Sequence, residues 1–170
     1  MDVKKRMTVM AALLIVSTAP VMAQQSLGQL ISENGYDAMI GEWVAFDGSG
    51  QKYELKYEWL LDRHAVRVAA KIGEMQYEGM IVCAPYSMQI TQIGADNRGG
   101  VFKGTWSEDY SGAAHRMEYV KSDGMTEKLE HVHTMVGKDT LRIREYAISS
   151  NGWRESSPRG ELIFKRDKKK

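Results

Sequence analysis

The dominant pattern in the chain is a period of two. From Lys52 to Trp59, Tyr53, Leu55, Tyr57 and Trp59 fall on one face and Lys52, Glu54, Lys56 and Glu58 on the other. Successive strand residues point to opposite faces of a sheet, so this stretch reads as a half-buried antiparallel strand. Just upstream, Glu42 to Asp47 predicts a first strand and Gly48-Ser49-Gly50 the turn that joins the two. Further strands are expected at Ala65 to Ile72, Met75 to Cys83, Met88 to Ile93, Val101 to Trp106, Ala114 to Lys121, Thr126 to Val136, Leu141 to Ser149 and Gly160 to Arg166. Turn residues separate them: Gly73-Glu74, Ala84-Pro85-Tyr86-Ser87, Gly94 to Gly100, Glu108 to Gly112, Ser122-Asp123-Gly124, Gly137-Lys138-Asp139 and Asn151-Gly152. Helical spacing occurs near the start, in Gln25 to Ser32, where Leu27, Leu30 and Ile31 share a face, Ser26 is a cap and Asn34-Gly35 a stop.

About ten short strands in up-and-down order, with connections this short, predict an all-β fold. An open sheet would leave two unpaired edges, and closure removes them. The expected architecture is therefore an antiparallel meander β-barrel with a short N-terminal helix. A β-sandwich, the alternative, usually needs longer crossing connections. A barrel of eight to ten strands is wide enough to be filled by side chains or to hold one small ligand.

The first residues change the picture of where the protein works. Lys4, Lys5 and Arg6 precede the apolar run Val9 to Val16, and Pro20-Val21-Met22-Ala23 ends in small residues, the three-part plan of a secretory signal. The run is shorter than the roughly 20 residues of a spanning helix. The expectation is a signal peptide at 1–23 and one domain at 24–170, periplasmic or secreted, with no integral membrane segment once the signal is removed. The formal net charge of the whole chain is +1. The leader carries a net +2 and residues Lys165 to Lys170 a net +4, so the body between them is net acidic and argues against nucleic acid as a partner. The one cysteine, Cys83, lies among apolar neighbours and reads as a buried small residue.

With a short helix ahead of an antiparallel meander, Gly41-Glu42-Trp43 at the first strand resembles the Gly-x-Trp of the lipocalin and wider calycin group. Glu58-Trp59-Leu60-Leu61-Asp62 and Gly104-Thr105-Trp106 are similar to segments of small bacterial lipocalin-like domains. The likeness spans Leu30 to Arg166. It lacks the disulfide pair, the Thr-Asp-Tyr motif and the long helix after the barrel of lipocalins in the narrow sense. The resemblance implies that Gly41 and Trp43 are structural, with Trp43 plugging the closed end beneath an arginine from a late strand. Arg142, Arg144 and Arg166 are the candidates.

The candidate chemistry gathers on later strands. His131 and His133, two apart, face the same way as Leu129 and Met135. If Ser122 pairs with Thr126, Tyr119 meets Leu129, Met117 meets His131 and His115 meets His133. A two-residue turn at Asp123-Gly124 would instead pair Arg116 with His131, and a one-residue slip reverses every face. Three imidazoles on one wall suit zinc or another transition metal and one alone could ligate haem, but polar groups lining a cavity, or exposed side chains, are the favoured reading. No motif names a cofactor, none specifies the oligomeric state, and no Gly-x-Ser-x-Gly elbow supports nucleophilic catalysis. Tyr57, Tyr77, His115, Met117, Tyr119, His131 and His133 are the expected ligand-binding residues, lining a pocket for a small apolar or amphipathic molecule. The alternatives are a cavity-based isomerase or cyclase using the same His and Tyr groups, and a structural envelope protein with a filled barrel.

Overall fold

The computed structural model describes residues 25–168, and the expected leader at 1–23 lies outside them. Helix α1, Leu27–Glu33, is followed by a 3-10 helix, Tyr36–Met39. Ten strands follow: β1 Gly41–Phe46, β2 Lys52–Leu60, β3 Ala65–Ile72, β4 Met75–Ala84, β5 Gln89–Asp96, β6 Val101–Asp109, β7 Gly112–Val120, β8 Thr126–Gly137, β9 Thr140–Ala147 and β10 Gly160–Arg166. Each strand pairs antiparallel with its neighbours in sequence, and β1 pairs with β10 to close the barrel. The expected all-β meander barrel is thus the observed fold. Among the described residues no helix is long and apolar enough to cross a membrane.

The alternation read from the sequence is the pleat of this barrel. Leu55 and Tyr57 of β2 and Val66 and Val68 of β3 are buried inside, while Lys52 and Arg67 are exposed outside. Helix α1 carries the expected cap: the Ser26 hydroxyl accepts from the Gln29 N–H, and the Gln29 side chain accepts in return from the Ser26 N–H. Asn34 ends it, and Gly35 takes the left-handed conformation at φ 73°. The helix lies across the end of the barrel that bears the β2–β3 turn. There the Gly28 N–H donates to Arg63 O, and the Arg63 guanidinium reaches Ser32 and Asp37 while lying over Trp59.

That end is closed by Trp43. Its indole is 1 % exposed, and its N–H donates to Met39 O at 2.8 Å. The guanidinium of Arg166 sits 4.2 Å from the indole centre, donates to the carbonyls of Ile40 and Ala38, and pairs with Asp139. Of the three arginines considered from sequence, Arg166 is therefore the one on Trp43. Gly41 holds φ 139°, and a Cβ there would meet the Arg166 guanidinium, so this glycine is needed for the close approach.

Two sequence expectations are corrected. Gly94 was expected in a turn spanning 94–100, but β5 continues through it to Asp96. Gly79, Gly94 and Phe102 form one row across β4, β5 and β6, and the Phe102 ring occupies the space that side chains on the two glycines would fill. Cys83 is half-buried against the core, not fully buried.

Outside the barrel a second small core forms where none was expected. Outward-facing Ala114, Val132 and Tyr146 are buried, as is Glu130. Segment 148–159 folds back over them. Arg154 lies over the Tyr146 ring and bonds Asp109 and Glu130, while Arg116 holds Glu130 from the other side.

Candidate functional site

Inside the barrel is a cavity of about 570 Å³. Its lining includes Tyr53, Ile72, Met75, Asp96 and Tyr119, which stand at the end opposite Trp43, beside the turns that follow β1, β3, β5 and β7. A second, apolar cavity of about 120 Å³ lies between α1 and the barrel, against Leu27, Leu30, Tyr36 and Met39. Tyr57 and Trp106 line both and form the partition between them.

All seven residues expected at a pocket, Tyr57, Tyr77, His115, Met117, Tyr119, His131 and His133, line the larger cavity. They do so in a different register from either of the two considered. His115 pairs with His131, Met117 with Leu129, Tyr119 with Glu127 and Val120 with Thr126. The turn runs from Lys121 to Met125, whose carbonyl accepts from the Lys121 N–H. Ser122 thus does not pair with Thr126. The shift is two residues along β8, and because the side-chain period is two, every face is retained.

The histidines have distinct surroundings. His133, 4 % exposed, accepts at Nε2 from the Tyr57 hydroxyl at 3.0 Å, and its Nδ1 faces His131 O at 3.3 Å. That leaves the proton on Nδ1. Burial, with His131 and His115 beside it, holds the His133 imidazole well below the ordinary histidine range, and burial pushes the Tyr57 hydroxyl well up. His131 donates from Nε2 to Glu145 Oε2 at 3.1 Å, and this bond draws the Glu145 carboxyl below its ordinary value. His115 stacks on Trp106, with ring centres 4.8 Å apart and planes 9° from parallel. Burial brings its imidazole down to about 3, so it is neutral at pH 7. Its Nε2 has no hydrogen-bond partner and lies over Gly104, where a side chain on β6 would collide with it.

These nitrogens aim at different partners. Among the described residues no three His, Cys, Asp or Glu side chains are arranged to hold a metal ion. The donor set does not fit the three-histidine metal site raised by the sequence.

The sequence reading missed a polar chain across the wall. Trp106 Nε1–H donates to Gln92 Oε1 at 2.8 Å, and Gln92 donates in turn to the Tyr77 hydroxyl oxygen at 2.6 Å. Gln92 is 1 % exposed. Its signal was present: it alternates with Ile90 and Gly94, so a polar side chain points inward and needs a partner there. Glu145 was also missed, since nothing short of the β8–β9 pairing places it beside His131. At the mouth the Tyr119 hydroxyl donates to Asp96 at 2.5 Å, which raises the tyrosine to about 12 and lowers the aspartate.

A largely apolar cavity open at one end, with a few oriented polar groups, is suited to taking up one small molecule and fixing its orientation. No family model matches the chain, and neither does any curated protein.

Proposed function

We propose that this protein is an exported, lipocalin-like carrier that binds a small apolar or amphipathic molecule inside its barrel. The observation that carries the reading is the cavity of about 570 Å³, which lies within the roughly 300–1,000 Å³ of small-molecule sites. The same volume speaks against a structural protein with a filled barrel. Support for the lipocalin-like part comes from Trp43 at the closed end beneath Arg166, in a ten-stranded meander. Export rests on the pattern of residues 1–23.

Native mass spectrometry of the mature protein purified from its own host tests both parts. The expected result is a chain beginning after Ala23 that retains a small molecule released on denaturation. A chain with an intact leader would overturn export. A bare chain that also fails to take up the apolar fluorophore pyrene would overturn carriage.

A cavity-based isomerase or cyclase is the second reading. One observation favours it: the His131–Glu145 pair forms part of the cavity wall, and a positioned imidazole with a carboxylate can move a proton. Conversion of the retained molecule with time, abolished in His131→Ala, would replace carriage with catalysis.

A further inference from the structure

The cavity lining combines apolar walls, neutral polar groups and carboxylates, and among the described residues it contains no lysine or arginine. Asp96 and Glu145 stand at inward positions and contribute its charge, while Glu54 and Glu161 border it from outward positions of β2 and β10. Each already has a partner: Asp96 has Tyr119, Glu145 has His131, Glu161 has Arg144, and Glu54 has Lys52. A ligand carboxylate entering this space would lose its water and meet no fixed cation in return. Anions are therefore disfavoured by the lining itself.

Among the polar groups of the lining, two with spare hydrogen-bonding capacity lie close together. The Tyr77 oxygen accepts from Gln92, which Trp106 locks in place, so the tyrosine is held in position while its own hydrogen remains to be donated. His115 is 3 % exposed, lines the cavity and leaves Nε2 unpartnered, which is unfavourable for a buried polar atom. The two groups approach the same part of the wall. Gln92, bonded to Tyr77, pairs across the sheet with Gly104, and His115 Nε2 lies over that glycine.

We infer that the cavity selects an uncharged amphiphile, an apolar body carrying a hydroxyl or carbonyl oxygen, and that the Tyr77 hydroxyl and His115 Nε2 receive that oxygen. This rests on the carrier reading and adds the class of ligand and its anchor. A neutral imidazole can donate to or accept from a hydroxyl, while the tyrosine donates. The aliphatic part of the ligand lies against residues such as Leu55, Val68, Ile143 and Leu162.

The test uses pyrene, which has no polar atoms, as a fluorescent reporter of cavity occupancy, displaced at pH 8 by 1-dodecanol or by dodecanoate. Dodecanol is expected to displace it, with dodecanoate at least tenfold weaker. Tyr77→Phe and His115→Leu are each expected to weaken dodecanol about 3- to 10-fold relative to pyrene measured in the same variant, the usual loss for one neutral hydrogen bond. In the unsubstituted protein, the nitrogen-15 resonance of His115 Nε2 should move on adding dodecanol, which keeps the test decisive if a variant does not fold. Equal displacement by dodecanoate would overturn the selection against anions. Unaltered dodecanol affinity in both variants, or an unmoved His115 resonance, would overturn the anchor. Failure of the unsubstituted protein to take up pyrene would overturn the carrier reading beneath it, an outcome distinct from either.

Discussion

Arg166, on the last strand, lies with its guanidinium 4.2 Å from the ring centre of Trp43, on the first. The two residues are also partners in the β1–β10 pairing that closes the barrel. The same guanidinium takes up the carbonyls of Ala38 and Ile40 and pairs with Asp139. One side chain thus joins the 3-10 helix, both closing strands and the β8–β9 turn.

Arg166→Ala is expected to destabilise the protein by about 2–4 kcal/mol in urea unfolding, because it removes a stacked, hydrogen-bonded charge and leaves two carbonyls unpaired. Arg166→Lys should recover only part of this, since an ammonium cannot both stack and fork. Trp43→Ala should cost about 3–5 kcal/mol. A loss under 1 kcal/mol for Arg166→Ala would show that closure depends on strand pairing alone.

Stability is expected to fall with acidification through the buried histidines. His115 and His133 have their imidazoles depressed by burial, while in the unfolded chain each titrates near its ordinary value of 6.5. Below that value the unfolded state binds more protons, so the contribution present at neutral pH is lost as pH falls. Each histidine should remove up to about 2 kcal/mol between pH 6.5 and pH 5, at about 1.4 kcal/mol per unit. Urea unfolding at pH 7, 6 and 5 measures this. His115→Leu should flatten the dependence by about half, and an unchanged slope would place the titration elsewhere.

Gly94→Ala is expected to destabilise by about 2–4 kcal/mol, because its Cβ would lie 2.3 Å from the Phe102 ring and as close to the Glu78 carbonyl. Phe102→Leu in the same chain should relieve part of the loss. A double-mutant cycle reads the coupling, and strict additivity would show that the backbone carbonyl alone sets the cost.

Glu130 anchors the segment over the outer face, held by Arg116 and Arg154. Glu130→Ala should cost about 1–3 kcal/mol, since it removes the carboxylate shared by two partly exposed arginines, of which Arg154 keeps Asp109. Arg154→Ala should free 148–159 to limited proteolysis while the barrel stays folded. Equal resistance in both forms would show that Tyr146 and the Ile148–Arg154 bridge suffice to hold it.

What the sequence determined by itself is what local chemistry encodes. Alternation of apolar and polar residues defined ten strands and their inner faces, because a strand has a period of two whatever its partners are. Ser26 and Asn34-Gly35 bounded the helix, because caps act within a few residues. The seven expected site residues line the cavity for the same reason: they sit on inward positions, and a two-residue change of register leaves those positions inward.

Tertiary structure decided everything that depends on which residue lies opposite which. Only the β7–β8 pairing sets His115 against His131 and leaves His115 Nε2 without a partner. Only closure of β1 on β10 picks Arg166 from three arginines. The chain from Trp106 through Gln92 to Tyr77 spans three strands, and the buried Glu130 needs a segment that returns over the outside. Such contacts arise from the packing of residues far apart in the chain, which no local pattern of hydrophobicity can encode.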